Sequence, residues 1–177
     1  MTVDELRDFA ILGTIVGRVE TTGRFCGETL LQKSAYFLKE MFGAPISAAF
    51  RIYYYGPFSF DLRDTLGTME ALDVVRTAPH EWGANYKVGP RFPQVEQQFH
   101  STLERLEPHI TWVEHELVPL GVKDLEPLAT ALFLRREKAN ASVDELAGRL
   151  HEIKPHVSVE TARAAIGKVE RWIAENR

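Results

Sequence analysis

Six histidines, one cysteine and a run of glutamates are the residues of this chain whose side chains could carry chemistry. A protein metal site needs three or four N, O or S ligands converging on one point. His100 and Glu104 have the i,i+4 spacing that puts two ligands on one helix face, and His109 and His115 are six apart. Neither pair has a third ligand at a recognised interval, so helix-surface histidines are the simpler account. Cys26 follows Arg24 and lies close to a helix start, a setting that can lower a thiol's pKa. It has no histidine in a paired motif, which favours a buried or inert thiol over a nucleophile. No serine stands in Gly-x-Ser-x-Gly, and no Walker-type phosphate loop occurs. The residue types point to no reaction, no metal and no cofactor, and turn attention to binding.

Two features could bind. Tyr53, Tyr54 and Tyr55 follow Arg51, and aromatic faces beside arginine suit stacking of single-stranded bases. Strand alternation sets Tyr53 and Tyr55 against Tyr54, so at least one face is expected to be aromatic core. Glu104, Glu107, Glu114 and Glu116 lie in a region, 92–122, where Arg105 is the lone Lys or Arg. Glu107 and Glu114 are two helical turns apart and share a face. This is either a solvated helix face or a surface imitating nucleic-acid phosphates.

Elements must position these groups. Thr2 and Glu5 form a capping box for a helix from Val3, which Gly23 can end. A second helix over 28–42 is apolar around most of its circumference, leaving a narrow stripe of Lys33, Tyr36 and Glu40. Phe50–Tyr55 reads as a strand. Gly56 before Pro57 forces a turn, and Ser59 caps a helix over 59–72 with Leu62, Leu66, Met69 and Asp73 on one side. Strands at 74–77 and 85–88 around Pro79 and Gly83 look like a wing. A long helix over 94–117 should kink or split at Pro108. Helices over 124–138, 143–153 and 159–175 follow, the last two capped by Ser142 with Glu145 and by Ser158.

The fold class expected is α+β, mostly α. A winged-helix core of helices and a small three-stranded sheet occupies residues 1–91, with a C-terminal helical extension over 92–177 packed on it as one unit. With 177 residues, 45% hydrophobic and 26% charged, the chain has an ordinary globular composition. Its longest apolar runs fall far short of the ~20 residues a membrane helix needs. Met1–Arg7 is acidic and amphipathic, unlike a signal peptide, and one cysteine fits a reducing compartment, so a cytoplasmic protein is expected. The net charge of −4 weighs against constitutive nucleic-acid binding.

The run Leu31-Gln32-Lys33-Ser34-Ala35-Tyr36-Phe37-Leu38, followed by Tyr55-Gly56-Pro57 and the acidic helix after it, resembles the YwgA-like proteins and more distantly the Panacea domain. The segment Leu125–Trp172 is similar to the helical tail of YwgA-like proteins. Gln32, Lys33, Tyr36, Tyr55, Gly56 and Pro57 match the shared motifs. Such domains resemble antitoxins, and one forms the toxin-binding half of the antitoxin of a DNA ADP-ribosylating toxin. The resemblance implies protein binding rather than hydrolysis, with a toxin or nucleic-acid-processing enzyme as partner.

The outward face of the helix over 59–72 presents Phe60, Arg63, Asp64, Gly67, Thr68 and Ala71. Base and phosphate contacts lean on cations, and Arg63 here faces Asp61 and Asp64. Duplex DNA binding is therefore expected to be weak or absent. Tyr55, Phe58, Phe60, Arg63 and Gly67 form the expected partner-binding surface. Exposed Gly67 is either tolerated or a place of close approach by another element. A winged-helix transcriptional regulator, docking on DNA as a homodimer, is the alternative.

Overall fold

The computed structural model describes residues 1–176. In chain order the elements are α1 (Val3–Thr21), α2 (Glu28–Phe42), β1 (Arg51–Tyr53), β2 (Gly56–Phe58), α3 (Phe60–Ala71), β3 (Val75–His80), β4 (Gly83–Val88), α4 (Phe92–Gln98), α5 (His100–Glu116), α6 (Val122–Glu137), α7 (Val143–Ile153) and α8 (Val159–Glu175). The chain is α-rich with two two-stranded antiparallel sheets, an α+β fold. Among the described residues, no helix is long and apolar enough to cross a membrane.

Capping side chains set the helix starts. Thr2 and Glu5, and again Ser142 and Glu145, bond reciprocally to each other's backbone N–H. Ser59 accepts from the Leu62 N–H at 3.3 Å, and Ser158 from the Thr161 N–H at 3.1 Å. Each pairing satisfies a donor that the first helical turn leaves orphaned. Gly43 ends α2 in the left-handed region at φ 66°. Asp73 does the same after α3 at φ 56°, so it lies past the helix rather than on its buried side.

The chain divides into two compact units: Met1–Phe50 with Phe58–Pro119, and Arg51–Pro57 with the residues from Leu120 on. In the first, α2 is central. Leu31, Ala35, Phe37 and Leu38 are fully buried, together with Leu62, Leu66 and Met69 of α3, while Phe50 is half-buried. Of the narrow polar stripe on α2, Glu40 is half-buried and the other two residues are enclosed. Lys33 is 1% and Tyr36 2% exposed, Tyr36 packing edge-on against Phe50 with ring centroids 5.1 Å apart. A helix surrounded on every side must bury its polar residues too: Gln32 does so with partners, whereas the buried Ser34 hydroxyl has none among the described residues.

Residues 43–50 run extended without a strand beside them, alternating exposed Pro45, Ser47 and Ala49 with buried Ala44, Ile46 and Ala48. Side chains replace the missing neighbour. Arg7 Nε donates to the Pro45 carbonyl at 2.7 Å, Lys39 Nζ to the Ala48 carbonyl at 2.6 Å, and the Ser47 N–H to both oxygens of buried Asp8 at 3.2 and 3.1 Å.

The sheet departs from expectation. Strand β1 pairs with β2 in a tight hairpin of its own rather than with the β3–β4 ribbon. In that ribbon Val75 faces Val88 and His80 faces Gly83, so it is longer than expected and Pro79 sits inside it. What lies beside β4 is the coil between α1 and α2: the Tyr86 N–H donates to the Cys26 carbonyl at 2.9 Å, and the Cys26 N–H to Asn85 Oδ1 at 2.9 Å. One of those bonds uses a side chain, which is why residues 25–26 do not extend into a strand. The long helix breaks at Phe99, not at Pro108. Burial of Leu103, Leu106, Ile110 and Val113 holds α5 together through a proline that removes one amide donor.

In the second unit α6, α7 and α8 pack on one another around Leu128, Leu132, Leu146, Leu150 and Ile166. Arg135 collects the carbonyls of Lys138, Ala139 and Ala141 and pairs with Glu170, tying the α6–α7 loop to α8. Lys154 is 5% exposed. Its ammonium donates to the carbonyls of Tyr53, at 2.5 Å, and Tyr54, and lies 3.3 Å from Glu126 Oε1. Glu126 Oε2 in turn lies 3.1 Å from His156 Nε2.

Leu38→Ala is expected to cost about 2–5 kcal/mol through the cavity it leaves, read as a lowered midpoint in urea unfolding; an unchanged midpoint would misplace the core. Burial pushes the Asp8 carboxyl above its ordinary value of 3.8, against the lowering effect of its Ser47 bonds. The folded chain therefore holds this proton more tightly than the unfolded one. The stability from Asp8 is fully present below 3.8 and is lost as pH rises through the raised folded value. Asp8→Asn should remove that slope, so the variant gains on the wild type as pH rises through this window. Parallel pH dependences in urea titrations would contradict it.

Candidate functional site

The N-terminus of α3 is built by a side chain of α2. Gln32, fully buried, donates from Nε2 to the Ser59 carbonyl at 2.8 Å and accepts the Ser59 N–H on Oε1 at 2.9 Å. This two-way pairing satisfies a buried amide and a buried peptide at once. Ser59 then caps α3 with its hydroxyl. Of the motif residues, Gln32 is thus a positioning group. Gly56 holds the β1–β2 turn at φ 84°, a conformation that favours glycine, and Pro57 after it is buried.

Three expected partner-binding residues meet on the first unit. Arg63 Cζ lies 4.6 Å from the centroid of Phe58 and 5.7 Å from that of Phe60, whose rings stand edge-to-face 5.1 Å apart. Arg63 Nε donates to Glu28 Oε1 at 2.9 Å. Phe58 and Phe60 are half-buried, so each keeps an exposed side. Gly67 is exposed on the same helix and the space beside its Cα is open, so no other element among the described residues approaches it closely. Tyr55 belongs to the second unit and is 58% exposed.

The tyrosine triplet does not form the aromatic core that alternation suggests. Tyr53, Tyr54 and Tyr55 are 39%, 73% and 58% exposed, with the Tyr53 and Tyr54 rings 4.5 Å apart. A two-residue turn at Tyr54 and Tyr55 ends the strand before alternation can bury either face. The acidic residues of α5 are also differently employed. Arg18 of α1 pairs with Glu107 and, at 3.3 Å, with Glu114, so their shared face holds the helix to its neighbour. Glu104 lies 3.3 Å from His100, and His109 stacks on Phe42 with centroids 4.3 Å apart. Cys26 is buried, and burial, with the carboxylate of Glu20, pushes its thiol up to about 12. It is the buried thiol of the two readings.

Around Tyr86 the face becomes acidic. Burial, and then the carboxylates of Glu28 and Glu70, push its phenol up. Glu70 also accepts the Thr77 hydroxyl, joining α3 to β3. Asp61 and Asp64 are exposed on α3. At the hairpin tip, Phe25 stacks on His80 at 4.6 Å and meets Trp82 edge-on at 5.7 Å. No sequence motif marks these three rings. The signal for them was a tryptophan between Glu81 and Gly83, in a turn where an apolar residue has no strand face to bury.

Comparison with known proteins adds nothing by likeness: no family model matches the chain, and no curated protein matches it.

Gln32→Leu keeps the side-chain volume near that of the amide and strips Ser59 of both partners. Leaving buried peptide groups unpaired costs about 1–3 kcal/mol each, so the loss should reach about 2–4 kcal/mol, because the Ser59 carbonyl still accepts the Arg63 N–H at 3.3 Å. Unfolding by urea with amide exchange at Leu62 and Arg63 measures it. An unchanged midpoint would show that α3 is positioned by its apolar face alone.

Proposed function

We propose that this chain is a winged-helix module that acts by binding another protein, in the manner of an antitoxin or a phage-defence component, rather than by catalysing a reaction. The winged-helix reading is supported by the order α1, extended coil, α2, α3, β3–β4, with the coil at Cys26 standing in for the third strand beside β4. Protein binding is supported above all by the outward face of α3. Where a duplex reader needs cations, this helix exposes Asp61, Asp64 and Glu70, and Arg63 is already committed to Glu28 and two phenylalanine rings. Carboxylates near phosphate add repulsion to an association that depends on cation–phosphate contacts. Arginine and aromatic side chains, by contrast, carry most of the energy where proteins meet. The binding face is Phe58, Phe60, Arg63 and Gly67, with a partner such as a toxin or nucleic-acid-processing enzyme.

The second reading is a DNA-binding regulator, favoured by the same helix-and-wing order, which in other proteins lays a helix along the major groove.

Affinity purification from the native cells, followed by reconstitution with the identified partner, tests both. Phe60→Ala with Arg63→Glu should abolish the complex while leaving the melting transition within a few degrees of the wild type. Polarisation assays at physiological salt should show no tight duplex complex. A partner held undiminished by the folded double variant removes this face from consideration, and nanomolar sequence-selective duplex binding promotes the regulator.

A further inference from the structure

The β3–β4 tip carries a large apolar side chain outside the core. Trp82 is 70% exposed in the turn between His80 and Gly83. It is nonetheless held in place. Its backbone N–H lies 3.3 Å from His80 Nδ1, its ring meets His80 edge-on at 5.0 Å, and His80 is itself stacked on Phe25. Gly83 adopts φ 118°, a conformation that favours glycine and fixes the turn. An aromatic anchor of this kind loses little freedom on binding, and tryptophan leads the residues that dominate interface energies.

Charge decides what the anchor meets. Phe25 leads through Gly27 into α2, where Glu28 lies in the first turn, and Glu70 reaches back to β3 through Thr77. Glu81 is exposed beside Trp82 itself. Three cations of this region are set beside a carboxylate, Arg63 with Glu28, Arg76 with Asp73 at 3.1 Å, and Lys87 with Glu20 at 4.0 Å, while Arg24, just before Phe25, donates to the Pro119 carbonyl at 3.4 Å. Glu70 and Glu81 stand beyond those three pairs against Arg24 alone, so carboxylates outnumber cations here. A nucleic acid would stack on Trp82 but find carboxylates along its backbone. An acidic protein would meet the same repulsion.

We propose that the β3–β4 tip, with Trp82 as anchor, docks a basic protein segment that sets an apolar side chain against the indole while its cations face Glu70 and Glu81. This rests on the protein-binding reading and names the chemistry of the partner: a cationic surface, attracted over several ångströms and oriented before contact. Binding of that surface here and binding of nucleic acid by the partner at the same residues exclude each other.

The test uses the full chain, isotopically labelled, with a short arginine–leucine peptide, its glutamate–leucine counterpart and a single-stranded oligonucleotide as probes. The arginine–leucine peptide should bind saturably, shift the Trp82 indole N–H resonance and the amides of residues 76–86, and weaken as salt is added. Trp82→Ala should reduce its affinity at least about ten-fold, roughly 1.4 kcal/mol. Trp82→Phe should restore part of that loss, both variants melting as the wild type does. Absence of saturable binding, a shift map elsewhere, equal affinity for Trp82→Ala, or tighter binding of the glutamate peptide or the oligonucleotide overturns the proposal. If the purified partner is lost by the Phe60→Ala, Arg63→Glu variant but kept in full by Trp82→Ala, protein binding stands and the assignment of the tip falls.

Discussion

Two hydrogen bonds between the Gln32 amide and the peptide of Ser59 set the geometry on which the first unit turns. A buried amide presents a donor and an acceptor, and only a group offering the reverse pair satisfies both. Ser59 supplies that pair from its own backbone, at the one residue whose side chain also caps α3. The start of α3 is thereby registered against α2 by directional bonds, where apolar packing alone would tolerate sliding. Phe58, Phe60 and Arg63 lie within four residues of this point, so the arrangement of their side chains inherits its precision. The exposed face is held from below by groups that never touch solvent.

The same economy recurs in residues 43–50. An extended segment normally needs a neighbouring strand to take its peptide groups. Here Arg7, Asp8 and Lys39 reach in from two helices and do so with charged side chains. The charged group in this set that burial disfavours is Asp8, whose carboxyl is pushed up. The segment is thus secured at the expense of one strained ionisation, whose effect on stability depends on pH.

Much of the helical architecture was legible in the residues themselves. Thr2 with Glu5, Ser142 with Glu145, Ser59 and Ser158 marked helix starts that the structure reproduces to the residue, because capping is a local interaction between near neighbours. What escaped depended on contacts distant in sequence. Cys26 sits beside β4 through a bond to Tyr86, sixty residues away by count, and nothing local in Phe25–Cys26 signals a strand. Pro108 looked like a break because its cost is local, whereas the burial that outweighs it is not. Of the candidate face, Phe58, Phe60 and Arg63 were legible from the cap and turn, and Trp82 was not, because Phe25, which closes its ring cluster with His80, comes from a different loop.

The second unit takes Arg51–Pro57 from the middle of the other unit's sequence, and Lys154 grips the carbonyls of Tyr53 and Tyr54 there. A chain emerging from the ribosome presents this short hairpin some hundred residues before its ammonium partner exists. The hairpin must wait, while Phe50 and Phe58 on either side of it are already enlisted by the first unit. The order of synthesis therefore favours completing the N-terminal unit first and closing the C-terminal one last. It also means that a fragment starting at Leu120 would keep Lys154 beside Glu126 but strip its buried ammonium of the two carbonyls it meets in the whole chain.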